Sequence, residues 1–300
     1  MKVRIQMNTT LRFVVDTIQE GCLRPAHLIR NVKDKPQLQT LLKTPRQTVS
    51  SSHRIHWERW DNSSLDKNYS LTLNDRYRIR HQYIPALEHI VRVKKIEPWH
   101  GDIRDIECLG ASKSDLSLYK NLDDFATSAS PNLIADVCDE NLRSHLNWEG
   151  GRILNNPLLC RYAWDNNRIH LCNSGSSHHF SAARYLSLKL TTPIPVSGRL
   201  YAYHLNEQCV FTLTKQFNLF SVLSKYSQFI IDECEHFGAP VGSYPAPQPF
   251  YDQTIIFLPR NNIRSMRISK LFKQIQLFDF SLFLLNSLNK QAEPLDLIQS

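Results

Sequence analysis

The residues best suited to chemistry lie in one short segment, residues 168–184. A strand-like stretch there ends in the small, polar turn Asn173-Ser174-Gly175-Ser176, and a helical pattern begins near Ser177. The backbone N–H groups of a helix start, the positive end of its dipole and small side chains that allow close approach together favour an anion. The turn therefore predicts a binding site for a phosphate group.

Two arginines are candidates to neutralise such an anion. Ser177, Ser181 and Arg184 fall on one stripe of the predicted helix, because steps of four and seven residues nearly close whole turns. Since helical side chains lean toward the N-terminus, Arg184 is expected to reach back to the anion. Arg152 would contribute if the tight turn before it folds toward Gly175.

Two adjacent histidines follow the turn. His178 is placed at the mouth of the site, as a candidate acid–base or hydrogen-bonding group. His179 shares a stripe with Ala183 and Leu186 on the apolar face, where a histidine is commonly a hydrogen-bonded core residue. A purely structural turn, capped by Ser176 or Ser177, is the alternative. The candidate site consists of His178 as the catalytic residue and of Asn173, Gly175, Ser176, Ser177, His179, Arg184 and Arg152 as ligand-binding residues.

Nitrogen and sulfur ligands for a metal also occur in this segment, at His170, Cys172, His178 and His179. A zinc site this compact would normally show clearer Cys or His pairs. We therefore expect no metal, and the sequence identifies no other cofactor.

Residues 178–184, following a strand, resemble the motif of the ParB and sulfiredoxin superfamily, in which a strand ends in Gly-x-His-Arg and opens a helix of the form Ala-Ala-Arg. In that superfamily the loop and helix start hold nucleotide phosphates, so the resemblance implies a nucleotide ligand. The chain departs from the motif at His179, where the family usually has Arg, at Ser177 (Gly in ParB proteins, Cys in sulfiredoxin) and at Ser176 (Asp in ParB proteins). These departures bear on catalysis more than on phosphate binding. Residues 174–180 also resemble an uncharacterised bacterial family, which implies no function.

A mixed order of strands and helices surrounds the candidate site. We predict strands at 158–163, 168–172, 199–204, 209–214 and 254–258, helices from Gly175 to about 190, at 217–237 and at 271–288, and a loop at 240–249. This order predicts an α+β fold, with a mixed or antiparallel sheet of short strands and two to three packed helices.

Charge is distributed unevenly along the 300 residues, whose formal net charge is +8. Residues 1–95 carry +10, residues 96–150 carry −7 and the remainder carries +5. We divide the chain into a basic N-terminal region (1–95), an acidic connecting region (96–145), an α+β core with the site (146–262) and a C-terminal helix (263–300).

The basic N-terminal region contains Trp57 and Trp60 among several cations. Such alternation would suit stacking on nucleic-acid bases, or a strand or loop whose tryptophans fix the region to the protein body. The net positive charge is compatible either with a polyanion partner or with internal neutralisation by the acidic region.

Seven cysteines, an odd number without a Cys-x-x-Cys motif, indicate reduced thiols in a reducing compartment. No signal peptide is apparent, and no apolar run approaches the roughly 20 residues that span a bilayer. We therefore expect a cytoplasmic protein without a membrane partner.

These observations predict a protein that binds a nucleotide or another phosphate-bearing ligand at the strand-turn-helix of residues 168–190. Phosphoryl transfer or hydrolysis is the chemistry that His178 would serve, although whether any bond is broken stays open at this point. The alternative function is that of a non-enzymatic regulator or nucleic-acid-binding protein that uses residues 1–95.

Overall fold

A computed structural model describes residues 21, 24–33, 42, 45–60, 70–75 and 78–291. The chain divides into two units: unit 1 draws its described residues from the ranges 1–43, 59–90 and 207–286, and unit 2 from 44–58, 91–206 and 287–300. Each unit combines several segments, so neither coincides with the four consecutive segments proposed from charge. Charge along a chain reflects surface composition, whereas long-range contacts define a unit. Most of residues 1–44, the first half of the predicted basic N-terminal region (1–95), lie outside the described residues.

The described residues form eleven strands and nine helices. The strands are β1 Ser70–Asp75, β2 Arg78–Tyr83, β3 Val91–Asp102, β4 Ile106–Leu109, β5 Leu158–Tyr162, β6 Ile169–Leu171, β7 Pro195–Leu205, β8 Phe217–Leu223, β9 Val241–Pro245, β10 Gln253–Pro259 and β11 Phe278–Asp279. The helices are α1 Ala26–Lys33, α2 Pro85–Glu88, α3 Leu122–Ala129, α4 Asp139–Leu146, α5 Ser177–Lys189, α6 Glu207–Gln216, α7 Ser224–His236, α8 Ile263–Gln274 and α9 Phe280–Lys290. The predicted α+β fold class is confirmed.

Unit 1 is built on a six-stranded antiparallel sheet in the order β11-β8-β10-β9-β1-β2. Its core joins the buried side chains of β8 and β10 to those of α7 and α8, with Phe220, Ile256 and Phe272 all fully buried. None of the helices in the described part of the chain has the length and apolar character needed to span a bilayer.

Unit 2 contains a five-stranded mixed sheet in the order β3-β7-β5-β6-β4. The strands predicted at 158–163 and 168–172 are confirmed as β5 and β6, which pair antiparallel as a hairpin whose turn contains Asn166 and Asn167, both with positive φ. Strand β4 pairs parallel with β6, so the carboxyl ends of these two strands meet at one edge of the sheet. Helix α5 follows β6 and packs on α3 and α4, with Phe180 and Leu186 fully buried in the core of the unit.

The predicted helix at 217–237 is wrong in its first third, where the chain forms strand β8. Most residues of β8 are buried, so its sequence is apolar without the alternation of a half-exposed strand. Such a continuous apolar run has the same pattern as part of a buried helix. Helix α7 begins only at Ser224, and it ends where predicted, before Gly238 at φ 68°.

Three other elements differ from prediction. The strand predicted at 209–214 is helix α6, whose buried residues Val210, Leu213 and Thr214 have helical spacing. The predicted loop at 240–249 contains strand β9. The single helix predicted at 271–288 is divided between α8 and α9, because Gln276 takes a left-handed conformation (φ 57°) and β11 follows.

Trp57 and Trp60 are fully buried, and Arg54 and His56 nearly so. The Arg54 guanidinium pairs with Glu58 at 2.7 Å, and in unit 1 the Trp60 indole donates to the carbonyl oxygen of Pro245 at 2.9 Å. Base stacking by these tryptophans is therefore wrong as a prediction. Their role as anchors in the interior agrees with the alternative that the sequence offered.

Candidate functional site

The predicted turn lines a cavity of about 470 Å³ in unit 2. Three segments form its wall: the loop after β4, the turn after α4, and the turn that joins β6 to α5. The first and third segments are adjacent because they follow the carboxyl ends of parallel neighbouring strands. The lining residues are Ala111, Ser112, Lys113, Trp148, Glu149, Arg152, Ser174, Gly175, Ser176, Ser177, His178 and His179.

Asn173 fastens two of these segments together. Its side-chain oxygen accepts hydrogen bonds from the N–H groups of Gly110 and Ala111, at 2.9 and 3.1 Å. Its amide nitrogen donates to the carbonyl oxygens of Ala111 and Gly175, at 2.8 and 2.9 Å. With both amide groups used in this way, Asn173 positions the turn, and it is not among the lining residues.

The first residues of α5 line the cavity and have backbone N–H groups without a helical partner. The first helical hydrogen bond runs from the N–H of Phe180 to the carbonyl oxygen of Ser176, which takes a left-handed conformation (φ 58°) and makes no side-chain cap. The N–H groups of Ser177, His178 and His179 meet no acceptor among the described residues. The Ser177 hydroxyl donates instead to that of Ser112, at 2.8 Å. These three N–H groups lie at the positive end of the helix dipole.

Charged side chains stand around the open donors. Arg152 folds toward the turn, as its predicted role requires, and donates to the hydroxyl of Ser174 at 2.9 Å. The Glu149 carboxylate lies 3.3 Å from the Arg152 guanidinium and accepts from the hydroxyl of Ser176 at 3.2 Å. Lys113 is exposed at the cavity wall. Two cations thus stand against one carboxylate, and the balance favours an anionic ligand.

Arg184 is not brought to the cavity. Its guanidinium donates to the carbonyl oxygens of Ile106 and Arg104, at 2.8 and 3.2 Å, and pairs with Asp123 at 2.7 Å. These partners lie in the turn before β4, in the first residue of β4 and in helix α3, and none of them lines the cavity. Arg184 therefore ties α5 to neighbouring elements and does not contact the place where an anion would lie.

His178 is held by hydrogen bonds on both ring nitrogens. Its Nε2 lies 3.2 Å from the Ser114 hydroxyl, its Nδ1 bonds the Ser130 hydroxyl, and its ring packs on Phe125. Burial, together with the charge of Lys113, lowers the pKa of His178. Although the ring lines the cavity, the catalytic role predicted for it would have to displace one of these serines.

His179 takes a place that the sequence did not predict. It is half-buried rather than in the apolar core, and its ring stacks on that of Trp148, with centroids 3.7 Å apart and planes 12° from parallel. Its Nδ1 lies 3.0 Å from Nδ1 of His145, whose Nε2 lies 2.7 Å from the carbonyl oxygen of Leu133. The core stripe of α5 is left to residues such as Ala183 and Leu186, which are fully buried.

This chain of contacts fixes the tautomer of His179. A carbonyl oxygen can only accept, so Nε2 of His145 carries the proton toward Leu133. When both rings are neutral, Nδ1 of His145 then accepts and Nδ1 of His179 donates, which leaves a lone pair on Nε2 of His179. No described residue bonds that nitrogen. Burial, and then the neighbouring His145 and His178, lower the pKa of His179 and favour the neutral ring.

Several lining residues escaped sequence reasoning. Lys113 and Ser112 depend on the pairing of β4 with β6, which no local pattern reveals. Trp148 and Glu149 precede Gly150 and Gly151, whose φ values of 71° and 77° mark a turn that favours glycine. These two glycines are the sequence feature that indicates a turn next to Trp148 and Glu149. Among the described residues, no three His, Cys, Asp or Glu side chains converge in a way that would hold a metal ion.

Comparison with known proteins shows that the cavity lies in a part of the chain that matches a protein family. No curated protein and no solved structure matches the chain. A family model, in contrast, matches residues 96–296, a span that includes every residue lining the cavity and excludes the basic N-terminal region. Because the match covers most of its length, the chain belongs to a family of unknown function (DUF6685).

Proposed function

We propose that the cavity binds a small phosphate-bearing ligand, with the phosphate at the start of α5. The observation that carries this proposal is the set of three N–H groups, at residues 177–179, that meet no acceptor among the described residues and belong to residues lining the cavity. Backbone donors at a helix start stabilise a bound oxyanion by hydrogen bonds and by the helix dipole.

The surrounding side chains support the same ligand. Arg152 and Lys113 supply two positive charges, and Glu149 holds Arg152 toward the turn while leaving part of its guanidinium for a ligand. The superfamily that residues 178–184 resemble also holds phosphates at a loop and helix start. The nucleic-acid alternative receives no support from Trp57 and Trp60, because both side chains are buried and cannot stack on bases.

A nucleotide is the ligand class that we propose. The cavity volume of about 470 Å³ lies in the usual range for small-molecule sites, roughly 300–1,000 Å³. Trp148, whose surface is 44% exposed, stacks on His179 with one face and offers aromatic surface beside the phosphate position. A base or another planar group can pack there by stacking.

Calorimetric titration tests the proposal with nucleoside monophosphates, inorganic phosphate and the matching nucleosides. Nucleotides should bind more tightly than nucleosides. Arg152→Ala and Lys113→Ala should each weaken nucleotide binding by roughly 1.5–3 kcal/mol, the value of a charge-assisted hydrogen bond, without changing the melting temperature. Lys189→Ala, an exposed cation at the far end of α5, is the control. Equal affinity for nucleotides and nucleosides, or binding unchanged in the double variant, would contradict the proposal.

A second candidate function, phosphoryl transfer or hydrolysis, is supported by the lone pair on Nε2 of His179. A neutral imidazole with a fixed tautomer can remove a proton from water or from a ligand hydroxyl. Phosphate release from a panel of phosphate esters tests it. His179→Ala should slow turnover at least about 100-fold, and His178→Ala should have a smaller effect because its nitrogens are engaged by serines. A larger loss in His178→Ala would instead assign the base to that residue.

A further inference from the structure

Two cysteines of unit 2 lie side by side on one face of the β5–β6 hairpin. Cys160 pairs in register with His170, so Cys172, two residues beyond His170, shares the face of Cys160. The N–H of Cys172 donates to the carbonyl oxygen of Leu158 at 2.9 Å, which continues the pairing past the end of β6. The two sulfur atoms are 3.2 Å apart. A displacement of about 1 Å would bring them to the length of a disulfide bond.

The two thiols differ in access and in acidity. Cys172 is exposed, whereas Cys160 is only 7% exposed. The hydrogen bond from Cys172 lowers the pKa of Cys160 to about 7, against the effect of burial, and Tyr162 and Arg54 act in the same direction as Cys172. At neutral pH a large fraction of these pairs has therefore lost one proton, and the remaining proton is shared between the two sulfurs. Cys108 shows the contrasting case, since burial raises its pKa to about 12.

We propose that Cys160 and Cys172 form a redox-active dithiol that small-molecule disulfides oxidise to an intramolecular disulfide. The shared proton moves to Cys160, and the exposed Cys172 thiolate attacks one sulfur of the oxidant, which forms a mixed disulfide and expels a thiolate. Cys160 then gives its proton to that thiolate and attacks the sulfur of Cys172, which expels the second thiolate. The protein loses two electrons to the oxidant, which is reduced to two small thiols.

The location gives this chemistry a consequence for the site. Cys172 directly precedes Asn173, the residue that fastens the turn to the loop after β4. Oxidation would draw Cys172 toward the sheet at the entry to that turn. The dithiol proposal itself does not depend on phosphate binding, so the two can fail separately.

Glutathione redox buffers test the proposal on the full chain. Protein equilibrated at graded ratios of reduced to oxidised glutathione is blocked by alkylation, digested and analysed by mass spectrometry. We expect two of the seven thiols to disappear together at one midpoint, with a peptide linked through Cys160 and Cys172. Seven remaining thiols at the most oxidising ratio, a bond to any other cysteine, or a stable glutathione adduct on Cys172 in the unaltered chain would overturn it.

Two variants separate the attacking thiol from the resolving thiol. Cys160→Ser should retain a glutathione adduct at Cys172, because the second attack is then impossible. Cys172→Ser should leave the buried Cys160 largely unmodified, and it keeps the experiment interpretable if Cys160→Ser fails to fold. Cys138→Ser, a half-buried cysteine outside the hairpin, is the control and should leave the midpoint unchanged. Loss of the linked peptide in the control would contradict the assignment.

Discussion

Two polar regions of unit 2 differ in how their charged and polar groups are paired. In the buried network of Arg54, Glu58, Asp165, Arg168 and His170, Asp165 accepts two hydrogen bonds from Arg168 at 2.9 Å and lies 3.0 Å from His170. In the cavity, Lys113 is exposed and three N–H groups of α5 meet no described acceptor. Residue types are similar in both regions, but in the first region each carboxylate is paired with a largely buried arginine, whereas the donors of the second region remain available to a ligand.

The largest expected effect tests the ion pairing of the buried network. Asp165→Asn should lower the free energy of unfolding by about 3–5 kcal/mol, because it leaves the buried Arg168 without its carboxylate and removes the charge beside His170. Chemical denaturation measures the change. Asp136→Asn, an exposed aspartate in the same unit, is the control and should stay within about 0.5 kcal/mol. A small effect of Asp165→Asn would mean that the network is not the stabilising element described above.

The second test asks whether Arg184 is a structural residue or a ligand-binding residue. Since it bonds two carbonyl oxygens and Asp123, Arg184→Ala should lower the free energy of unfolding by about 2–3 kcal/mol and leave nucleotide affinity of the folded protein unchanged. Thermal melts and calorimetric titration, with Lys189→Ala alongside, measure both quantities. The opposite result, weaker binding with unchanged stability, would restore Arg184 to the anion site that the sequence predicted.

A third test uses pH. Burial lowers the pKa of His170, although Asp165 acts in the opposite direction, so the folded state resists a proton that the unfolded chain accepts below about pH 6.5. The free energy of unfolding should therefore fall as the pH drops from 6.5 toward 5.5, by on the order of 1 kcal/mol. Denaturant titrations at several pH values measure the slope, and His170→Gln should flatten it. A stability that rises on acidification would contradict the neutral His170.

The smallest effect on stability is expected at Gly175. Its φ is not positive, and a Cβ atom built there meets nothing within 4 Å, so the fold does not require glycine. Gly175→Ala should change the free energy of unfolding by less than about 1 kcal/mol. If the glycine serves ligand approach, the same variant should weaken nucleotide binding measurably in calorimetric titration. Unchanged affinity would indicate that the anion lies away from this residue.

Local patterns were sufficient for part of the site. The β5–β6 hairpin and the start of α5 follow from the asparagine turn and from the small residues around Gly175, which act within a few residues of themselves. Lys113 reaches the cavity through strand pairing, and His145 reaches His179 at its wall through helix packing; periodicity encodes neither contact, because the partners are tens of residues apart. Strand β8 was mistaken for a helix for a related reason, because its burial depends on elements on both sides of it.

The division of the chain into units has a consequence for its biosynthesis. Residues 91–206 supply the whole five-stranded sheet of unit 2, whereas the six-stranded sheet of unit 1 needs β1 and β2 together with β8–β11. A ribosome releases the complete set of unit 2 strands well before the last strand of unit 1 has emerged. Strand β1 lacks one of its two neighbours until β9 has emerged, and the sheet is complete only when β11, ending at residue 279, is available. The cavity can thus be assembled on the nascent chain first, and a truncation between residue 206 and β11 removes part of unit 1 while leaving every lining residue in place.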